Sequence, residues 1–220
     1  MTLRRLLMTT AFVLFTGPVA AVSPVAADTD LAEFVRTLGN TALEVIRADT
    51  SAAQKHAFFH QLLQQDFDLP GIAQFVLGPF WRVATDAEKQ EFRRLFADYI
   101  VRIYSERFAQ YRGESLRVTG SRSDPETAMV TSEIVRPDGR PPIKVDWRLS
   151  TRDGLYKIND VIIDGVSMGA SERSEFVSVI ERSGGQVQGL LAMMREQTAA
   201  LPSAPPEAVP LGMGNTPPPR

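Results

Sequence analysis

The fold of this chain is decided by residues 75–111, FVLGPFWRVATDAEKQEFRRLFADYIVRIYSERFAQY. Thr85 is followed three residues later by Glu88, which is the pattern of a capping box, so a helix is predicted to begin at Asp86. Neither glycine nor proline interrupts this helix before Gly113, which allows about 26 residues and roughly 39 Å. The stretch therefore predicts one long helix that follows an aromatic-rich turn.

One face of this helix is wide and aromatic. Arg107 falls inside the apolar arc at 100° per residue, whereas Glu91, Asp98, Arg102 and Glu106 lie outside the arc or at its edge. A face of this width exceeds what a surface helix needs, so a sheet, a ligand or both must cover it. The apolar positions of the arc are Phe92, Leu95, Phe96, Tyr99, Ile100, Ile103, Tyr104 and Tyr111.

Residues 1–27 have the pattern of a secretory signal peptide. Two arginines precede an apolar stretch over residues 6–15, and small residues at 25–27 form a cleavage site. The apolar stretch is too short to span a bilayer well. We therefore expect an exported chain that begins at Asp28; an uncleaved membrane anchor is the alternative.

Composition limits the classes of function that remain. Removing residues 1–27 takes away two arginines and no acid, which leaves 22 basic and 26 acidic residues and a net charge of −4. This acidity argues against nucleic acid as a partner. The absence of cysteine excludes disulfides, thiolate metal sites and thiol catalysis. A single domain held by its core is predicted over 28–199, followed by a proline-rich disordered tail over 200–220.

Five further helices are predicted from the spacing of apolar residues. Three precede the long helix, over 29–48, over 51–64 and from the capping residue Asp68 to about Leu77. Two end the domain, over 172–182 with Ser171 as the cap and over 186–198.

Strands are predicted between the long helix and the last helices, because the apolar period changes there from 3.6 to 2. They run over 115–121, 126–136, 142–151 and 155–163. Short turns join them, so they should form an antiparallel meander of four to five strands whose apolar face needs a cover. The long helix is predicted to supply that cover. The class is therefore α+β in one domain.

No catalytic or metal-binding set emerges from the sequence, and no enzyme is predicted. His56 and His60 are four residues apart on one helix, but no third ligand is placed nearby, so no metal site is expected. Asp160 and Asp164 end the fourth strand beside apolar residues. A proton-transfer base is one interpretation of these acids; hydrogen bonding to local backbone is the other and is favoured.

Arg107 is open to two interpretations. Its side chain could extend to solvent along apolar surface or pair with a sheet acid such as Asp146. Alternatively it could lie at the mouth of an apolar cavity and bind a phosphate or a carboxylate. Tyr104 and Tyr111 lie on the same face. Tyrosine, with its apolar ring and polar hydroxyl, suits a site that is apolar on one side and exposed to water on the other.

Three segments resemble the MlaC family of periplasmic phospholipid-binding proteins: DLPGIAQFVLGPFW (68–81), EFRRLFADYIVRIYSERFAQY (91–111) and YKINDVIIDGVSMGASERSEF (156–176). This family includes the toluene-tolerance (Ttg2-type) auxiliary components of ABC transporters, and the chain is most similar to its HpnM branch, which is associated with hopanoid biosynthesis. The resemblance covers about 30–198. One departure is SERSEF at 171–176, where family members often read close to NYRSQF.

The resemblance implies helices packed on a curved sheet like that of nuclear transport factor 2, with a deep apolar cavity between them. It also implies a soluble periplasmic carrier whose cargo is a phospholipid or a hopanoid, with no other cofactor. Its implied partners are an outer-membrane lipoprotein or porin complex and an inner-membrane ABC transporter with its substrate-binding subunit.

Acyl chains, or a hopanoid ring system, are predicted to insert between the long helix and the meander, with Arg107 and Tyr104 at the polar headgroup. A small hydrolase or isomerase is the alternative and would need a polar pair deep in the cavity. A non-catalytic adaptor is the third class, and its own side chains would fill the cavity. The predicted lipid-binding residues are Phe75, Leu77, Trp81, Phe92, Phe96, Tyr99, Ile103, Tyr104, Arg107, Val145, Trp147, Ile158 and Val166.

Overall fold

A computed structural model describes residues 24–108, 111, 113–124, 127–152 and 155–199. Within these ranges the chain forms six α-helices and one five-stranded sheet, so the predicted α+β class is confirmed. No helix in this part of the chain combines the length and the apolar character needed to cross a membrane. Residues 1–23 of the predicted signal peptide, and the predicted tail from residue 200, lie outside the described residues.

Four α-helices precede the sheet and two follow it. A short 3₁₀ helix over Gly78–Arg82 links α3 to α4. The bounds are Pro24–Arg47 for α1, Ala52–Asp66 for α2, Leu69–Leu77 for α3, Asp86–Phe108 for α4, Met168–Arg182 for α5 and Val187–Thr198 for α6.

The predicted capping box sets the start of α4. The backbone N–H of Thr85 donates to Glu88 Oε2 at 2.8 Å, and the N–H of Glu88 donates to the Thr85 hydroxyl at 3.2 Å. Asp68 caps α3 as predicted, since its carboxylate accepts from the N–H of Gly71 at 3.2 Å. Two of the predicted helix starts are therefore confirmed at the level of single hydrogen bonds.

Two other helix starts differ from the prediction. α1 begins at Pro24, before the predicted residue 29, because no glycine or proline interrupts the chain from residue 25 to 38. α5 begins at Met168, since Ser167 and not Ser171 is its cap: the Ser167 hydroxyl accepts from the N–H of Ala170 at 3.0 Å. The Ser171 hydroxyl instead donates to the carbonyl of Ser167 at 2.9 Å.

The sheet is the predicted antiparallel meander, in the order β1-β2-β3-β4-β5 with each strand antiparallel to the next. A two-residue fifth strand completes it. The bounds are Ser115–Ser123 for β1, Thr127–Val135 for β2, Ile143–Arg152 for β3, Leu155–Ile163 for β4 and Val166–Ser167 for β5.

A bulge in β4 changes which side chains face the helices. Trp147 lies opposite Val161, whereas Leu149 lies opposite Ile158, so β4 contains one residue more than β3 between these pairs. An extra residue reverses the alternation of side chains along the strand. Ile158 and Val161, three residues apart, therefore face the same side of the sheet.

The prediction that the long helix covers the sheet is wrong for most of the sheet surface. α1 packs on β1 and β2, while α2, α3 and α5 pack on β4. α4 packs mainly on α6, α2 and α3. The reason is that much of its aromatic face meets the ring of Phe176 in α5, which lies 5.8 Å from that of Phe92 and 5.4 Å from that of Tyr99.

Two clusters of buried side chains hold the domain together. The first, called here the helical core, is formed by α3 to α6 and includes Leu77, Phe92, Phe176 and Leu191, each fully buried. The second, the sheet core, is formed by α1, α2, Val101 of α4 and the inner face of the sheet. It includes Leu31, Val35, Phe58, Val130, Leu149 and Ile158.

Candidate functional site

An apolar cavity of about 250 Å³ lies between α4 and the sheet. Its sheet wall comes from three strands, and the alternation of each strand turns these side chains inward. The Ser132 hydroxyl accepts a hydrogen bond from the Trp147 indole N–H at 2.9 Å, which orients the tryptophan ring in this wall. The sheet wall includes Ile134, Val145, Trp147, Val161 and Ile163.

The opposite wall is helical. One side of α4 faces the cavity through Phe96, Ile100, Val101, Tyr104 and Ser105, while its other side belongs to the helical core. Helices α1, α2, α3 and α5 close the remaining sides. Their contributions include Leu38 and Ala42, Phe59 and Leu63, Ile72 and Val76, and Met168.

The structure brings four of the predicted lipid-binding residues to this cavity: Phe96, Tyr104, Val145 and Trp147. The aromatic arc of α4 was predicted to face a single partner. In the structure, part of the arc faces the cavity and part faces the helical core. Phe92 and Tyr99 are turned into the helical core because α5 and α6 pack there.

The other predicted residues lie elsewhere. Leu77 is fully buried in the helical core, with Trp81 and Ile103 packed against that core. Ile158 is fully buried in the sheet core. These side chains reach their packing partners instead of the cavity.

Two predicted residues are on the surface, and the side chain of a third lies outside the described residues. Phe75 and Val166 are exposed, because the face of α3 that carries Phe75 points outward and Val166 lies in the two-residue edge strand β5, directly after the turn at residues 164–165. Arg107 belongs to α4, but its side chain lies outside the described residues, and its role at the headgroup stays a prediction.

Sequence reasoning missed several residues of the cavity wall. Val161 and Ile163 were passed over because the β4 bulge, which turns them inward, leaves no mark in the period-2 pattern. Leu38 and Leu63 belong to the apolar faces of α1 and α2, and those faces were recognisable as helical stripes. Which stripe meets the sheet depends on tertiary packing.

Polar groups enter the cavity wall at one side, where β4 meets α5. Asp160 accepts hydrogen bonds from the Ser167 hydroxyl at 2.7 Å, from the N–H of Gly169 at 3.1 Å and from the Arg148 guanidinium at 3.3 Å. Its carboxylate thereby ties β4 to the first turn of α5. The neighbouring Asn159 Oδ1 is buried without a hydrogen-bond partner.

Asp164, directly after β4, is hydrogen-bonded to the backbone at the start of β3. It has a φ of 47°, and its carboxylate accepts from the backbone N–H of Lys144 at 3.0 Å. Both acids accept backbone hydrogen bonds, as the favoured interpretation expected, but Asp160 also accepts from the side chains of Ser167 and Arg148, which that interpretation did not include.

The two histidines of α2 face α4. His60 Nε2 lies 3.4 Å from Asp98 Oδ1, and His56 Nε2 lies 3.8 Å from the same oxygen. Burial lowers the pKa of His56; Asp98 opposes this effect and His60 adds to it. Among the described residues, no set of three or more histidine, aspartate or glutamate side chains is arranged to hold a metal ion.

An apolar cavity between a sheet and helices, with a few polar groups at one side, is typical of a protein that binds an apolar small molecule. Residues 36–196 match the model of the MlaC protein family, and the chain belongs to that family.

Two relatives are similar in sequence to part of this chain. The intermembrane phospholipid transport system binding protein MlaC of Haemophilus influenzae is 22% identical over 131 residues, which is 58% of this chain and 60% of that protein. The toluene tolerance protein ttg2D of Pseudomonas putida is 22% identical over 130 residues, with the same shares covered. The chain thus spans about 60% of the length of these relatives.

A solved structure shows the same fold. It is a phospholipid-binding protein from Ralstonia solanacearum in complex with a phospholipid, and it superposes with a TM-score of 0.65 at 24% identity. The match covers 77% of this chain and 97% of that one. The similarity therefore extends over nearly all of the solved domain.

Proposed function

We propose that this protein is a lipid carrier that holds the acyl chains of a phospholipid, or the ring system of a hopanoid, in its apolar cavity. The observation that carries the proposal is the cavity of about 250 Å³ between α4 and the sheet, with walls of mainly aliphatic and aromatic side chains. Membership of the MlaC family supports it, as do the relatives named for phospholipid transport and phospholipid binding.

Binding in such a cavity needs no covalent step. Each buried CH₂ contributes about 0.8 kcal/mol, so one long acyl chain gives roughly 10 kcal/mol before the entropy costs of binding. The cavity wall carries too few polar groups to bind a headgroup by themselves. We propose that the headgroup lies near Tyr104 and Tyr111, which line the cavity, and that Arg107 is the cation that binds its phosphate.

We place this carrier in the periplasm, exported by the signal peptide over residues 1–27. It would exchange lipid with an outer-membrane lipoprotein or porin complex and with an inner-membrane ABC transporter through its substrate-binding subunit. The name of the Haemophilus influenzae relative, an intermembrane phospholipid transport protein, supports this route. Carriage, without chemical change of the lipid, is the proposed activity.

Native mass spectrometry of protein purified from periplasmic extract tests this function. We expect one lipid per chain, and its mass identifies the cargo. Val161→Trp fills the cavity and should abolish the bound lipid. Ile162→Trp is the matched control, because the neighbouring side chain lies outside the cavity wall. Lipid retained by Val161→Trp, or no lipid in the wild type even after incubation with phospholipid, would contradict the proposal.

A further inference from the structure

Two arginine–aromatic stacks lie on the outer side of α3 and of the 3₁₀ helix. The guanidinium carbon of Arg93 is 4.9 Å from the centre of the Trp81 ring, and that of Arg173 is 5.1 Å from the centre of the Phe75 ring. Gly78 lies beside the second stack, since a Cβ there would come within 3.0 Å of Arg173 Nε. The stacks therefore flank the 3₁₀ helix.

Apolar side chains are exposed between and beside these stacks. Phe75 is 46% exposed and Val83 is 71% exposed, which is unusual for large apolar residues in the described domain. Pro79 and Arg82 are exposed as well. We call this region the arginine–aromatic surface; it consists of Phe75, Trp81, Arg82, Val83, Arg93 and Arg173.

The cations of this surface are not neutralised by the protein. Within the described ranges, no carboxylate forms an ion pair with Arg82, Arg93 or Arg173. Lys89, whose ammonium lies 5.7 Å from the Trp81 ring centre, pairs only with the fully exposed Asp86 at 3.6 Å. Such a concentration of positive charge runs against the net charge of −2 of the whole chain.

Two acids near the start of α4, Glu88 and Glu91, have their partners on α6 and not at this surface. Glu88 accepts a hydrogen bond from Gln188 at 3.2 Å, and Glu91 pairs with Arg195 at 2.7 Å, both on α6. Glu88 and Glu91 thus have partners on α6, whereas Lys89 and Arg93 lie over the Trp81 ring. This segregation leaves a surface that combines apolar side chains with unpaired guanidinium groups.

We propose that the arginine–aromatic surface docks this protein on a lipid surface that carries anionic headgroups. Guanidinium groups bind phosphate oxygens in a bidentate manner, and exposed aromatic and aliphatic side chains insert at the level of the headgroups. Each basic residue near an anionic bilayer adds attraction that salt weakens. This docking is an interaction beyond the carriage of lipid and does not depend on an occupied cavity.

The position of the surface suits transfer of a lipid. Ile72 and Val76, on the inner side of α3, line the cavity, and Gly169 of the cavity wall lies against the ring of Phe75. Docking through Phe75 and Arg173 therefore places the α3–α5 wall of the cavity against the bilayer. A lipid would have to cross only this wall.

Co-sedimentation with vesicles tests the docking. Wild-type protein should bind vesicles that contain phosphatidylglycerol and should bind phosphatidylcholine vesicles much more weakly. Arg93→Gln should lower the affinity for the anionic vesicles about fivefold, the contribution of one basic residue near such a surface. Arg94→Gln is the matched control: Arg94 is also exposed on α4, but it lies 3.6 Å from Glu91, away from Trp81.

A second variant distinguishes weaker docking from loss of folding. Val83→Asp changes a side chain that is 71% exposed, so the fold should persist, yet it places a negative charge in the surface and should weaken binding by a similar factor. Equal losses for Arg93→Gln and Arg94→Gln would overturn the proposal. Equal affinity for both kinds of vesicle, or none for either, would also overturn it. Val161→Trp, which has a filled cavity, should still bind the anionic vesicles. The experiment therefore tests docking on vesicles independently of lipid binding in the cavity.

Discussion

Asp66, the last residue of α2, is a carboxyl group that the fold buries. Its side chain is only 5% exposed, and burial raises its pKa to about 6, although the nearby Lys157 acts in the opposite direction. The pKa in the folded protein exceeds the ordinary value of 3.8, so the folded state binds this proton more tightly than the unfolded chain does. The stability associated with this proton is complete below the ordinary value and is lost as the pH rises through about 6.

Asp66→Asn should therefore stabilise the protein at alkaline pH. Removing the buried charge should raise the free energy of unfolding by roughly 1–2 kcal/mol at about pH 8 and change it little at about pH 4. Urea denaturation at the two pH values measures the difference. Asp49→Asn, at an exposed position before α2, is the control and should have no effect at either pH. The same change at both pH values would show that the charge of Asp66 is not the cause.

The junction of β4 and α5 depends on a single carboxylate. Asp160 accepts from the N–H of Gly169 in the first turn of α5, where the positive end of the helix dipole favours a negative charge. It also accepts from the hydroxyl of Ser167, the residue that caps this helix. One strand residue thus fixes the position of a helix that contributes to both the cavity wall and the helical core.

Asp160→Asn should destabilise this junction by about 1–3 kcal/mol, because it removes the charge and turns one acceptor into a donor facing other donors. Thermal unfolding measures the loss. Asp164→Asn is the matched control on the same strand end: asparagine tolerates a positive φ, and its carbonyl can still accept from Lys144. Equal losses for the two variants would refute the anchoring role of Asp160.

Local signals in the sequence predicted most of the elements. The capping pair Thr85 and Glu88 set the start of α4, and the alternation from Ile143 to Leu149 identified β3. Such signals act within a few residues, so they can be read without knowledge of the fold. The prediction of Ser171 as the cap of α5 was wrong, because the hydroxyl of Ser167 caps this helix one turn earlier.

The cavity wall was harder to predict than the elements, because it depends on partners that are distant in the chain. The arc of α4 is continuous in the sequence, yet Tyr99 faces α5 while Tyr104 faces the cavity. The bulge after Ile158 shifts the pairing of β4 with β3 and thereby turns Val161 inward. This shift depends on both strands, so the sequence of β4 alone does not predict it. Phe75 and Trp81 were assigned to the cavity on their apolar character alone, which does not distinguish a cavity wall from a core or a surface.

Over the residues that the structure describes, the molecule consists of two cores with an apolar cavity between them. Among the described residues, the largest fully buried side chains all belong to the helical core or to the sheet core, and α4 contributes to both through Phe92 and Val101. Space left between packed layers lacks the dispersion contacts that side chains would otherwise make. An apolar ligand that fills this space should restore part of that loss and stabilise the domain as a unit.

The melting temperature Tm of delipidated protein should therefore rise with the length of an added fatty acid. Each CH₂ that enters the cavity contributes about 0.8 kcal/mol, so at a fixed ligand concentration Tm should increase by about 2 °C per methylene and level off once the cavity is full. Differential scanning calorimetry with saturated acids of increasing length provides the measurement. In Val161→Trp the rise should shrink or vanish, since the indole occupies the space, whereas Ile162→Trp should behave like the wild type. A rise that does not depend on chain length would mean that the acids bind at the surface, and the cavity would then have no role in holding acyl chains.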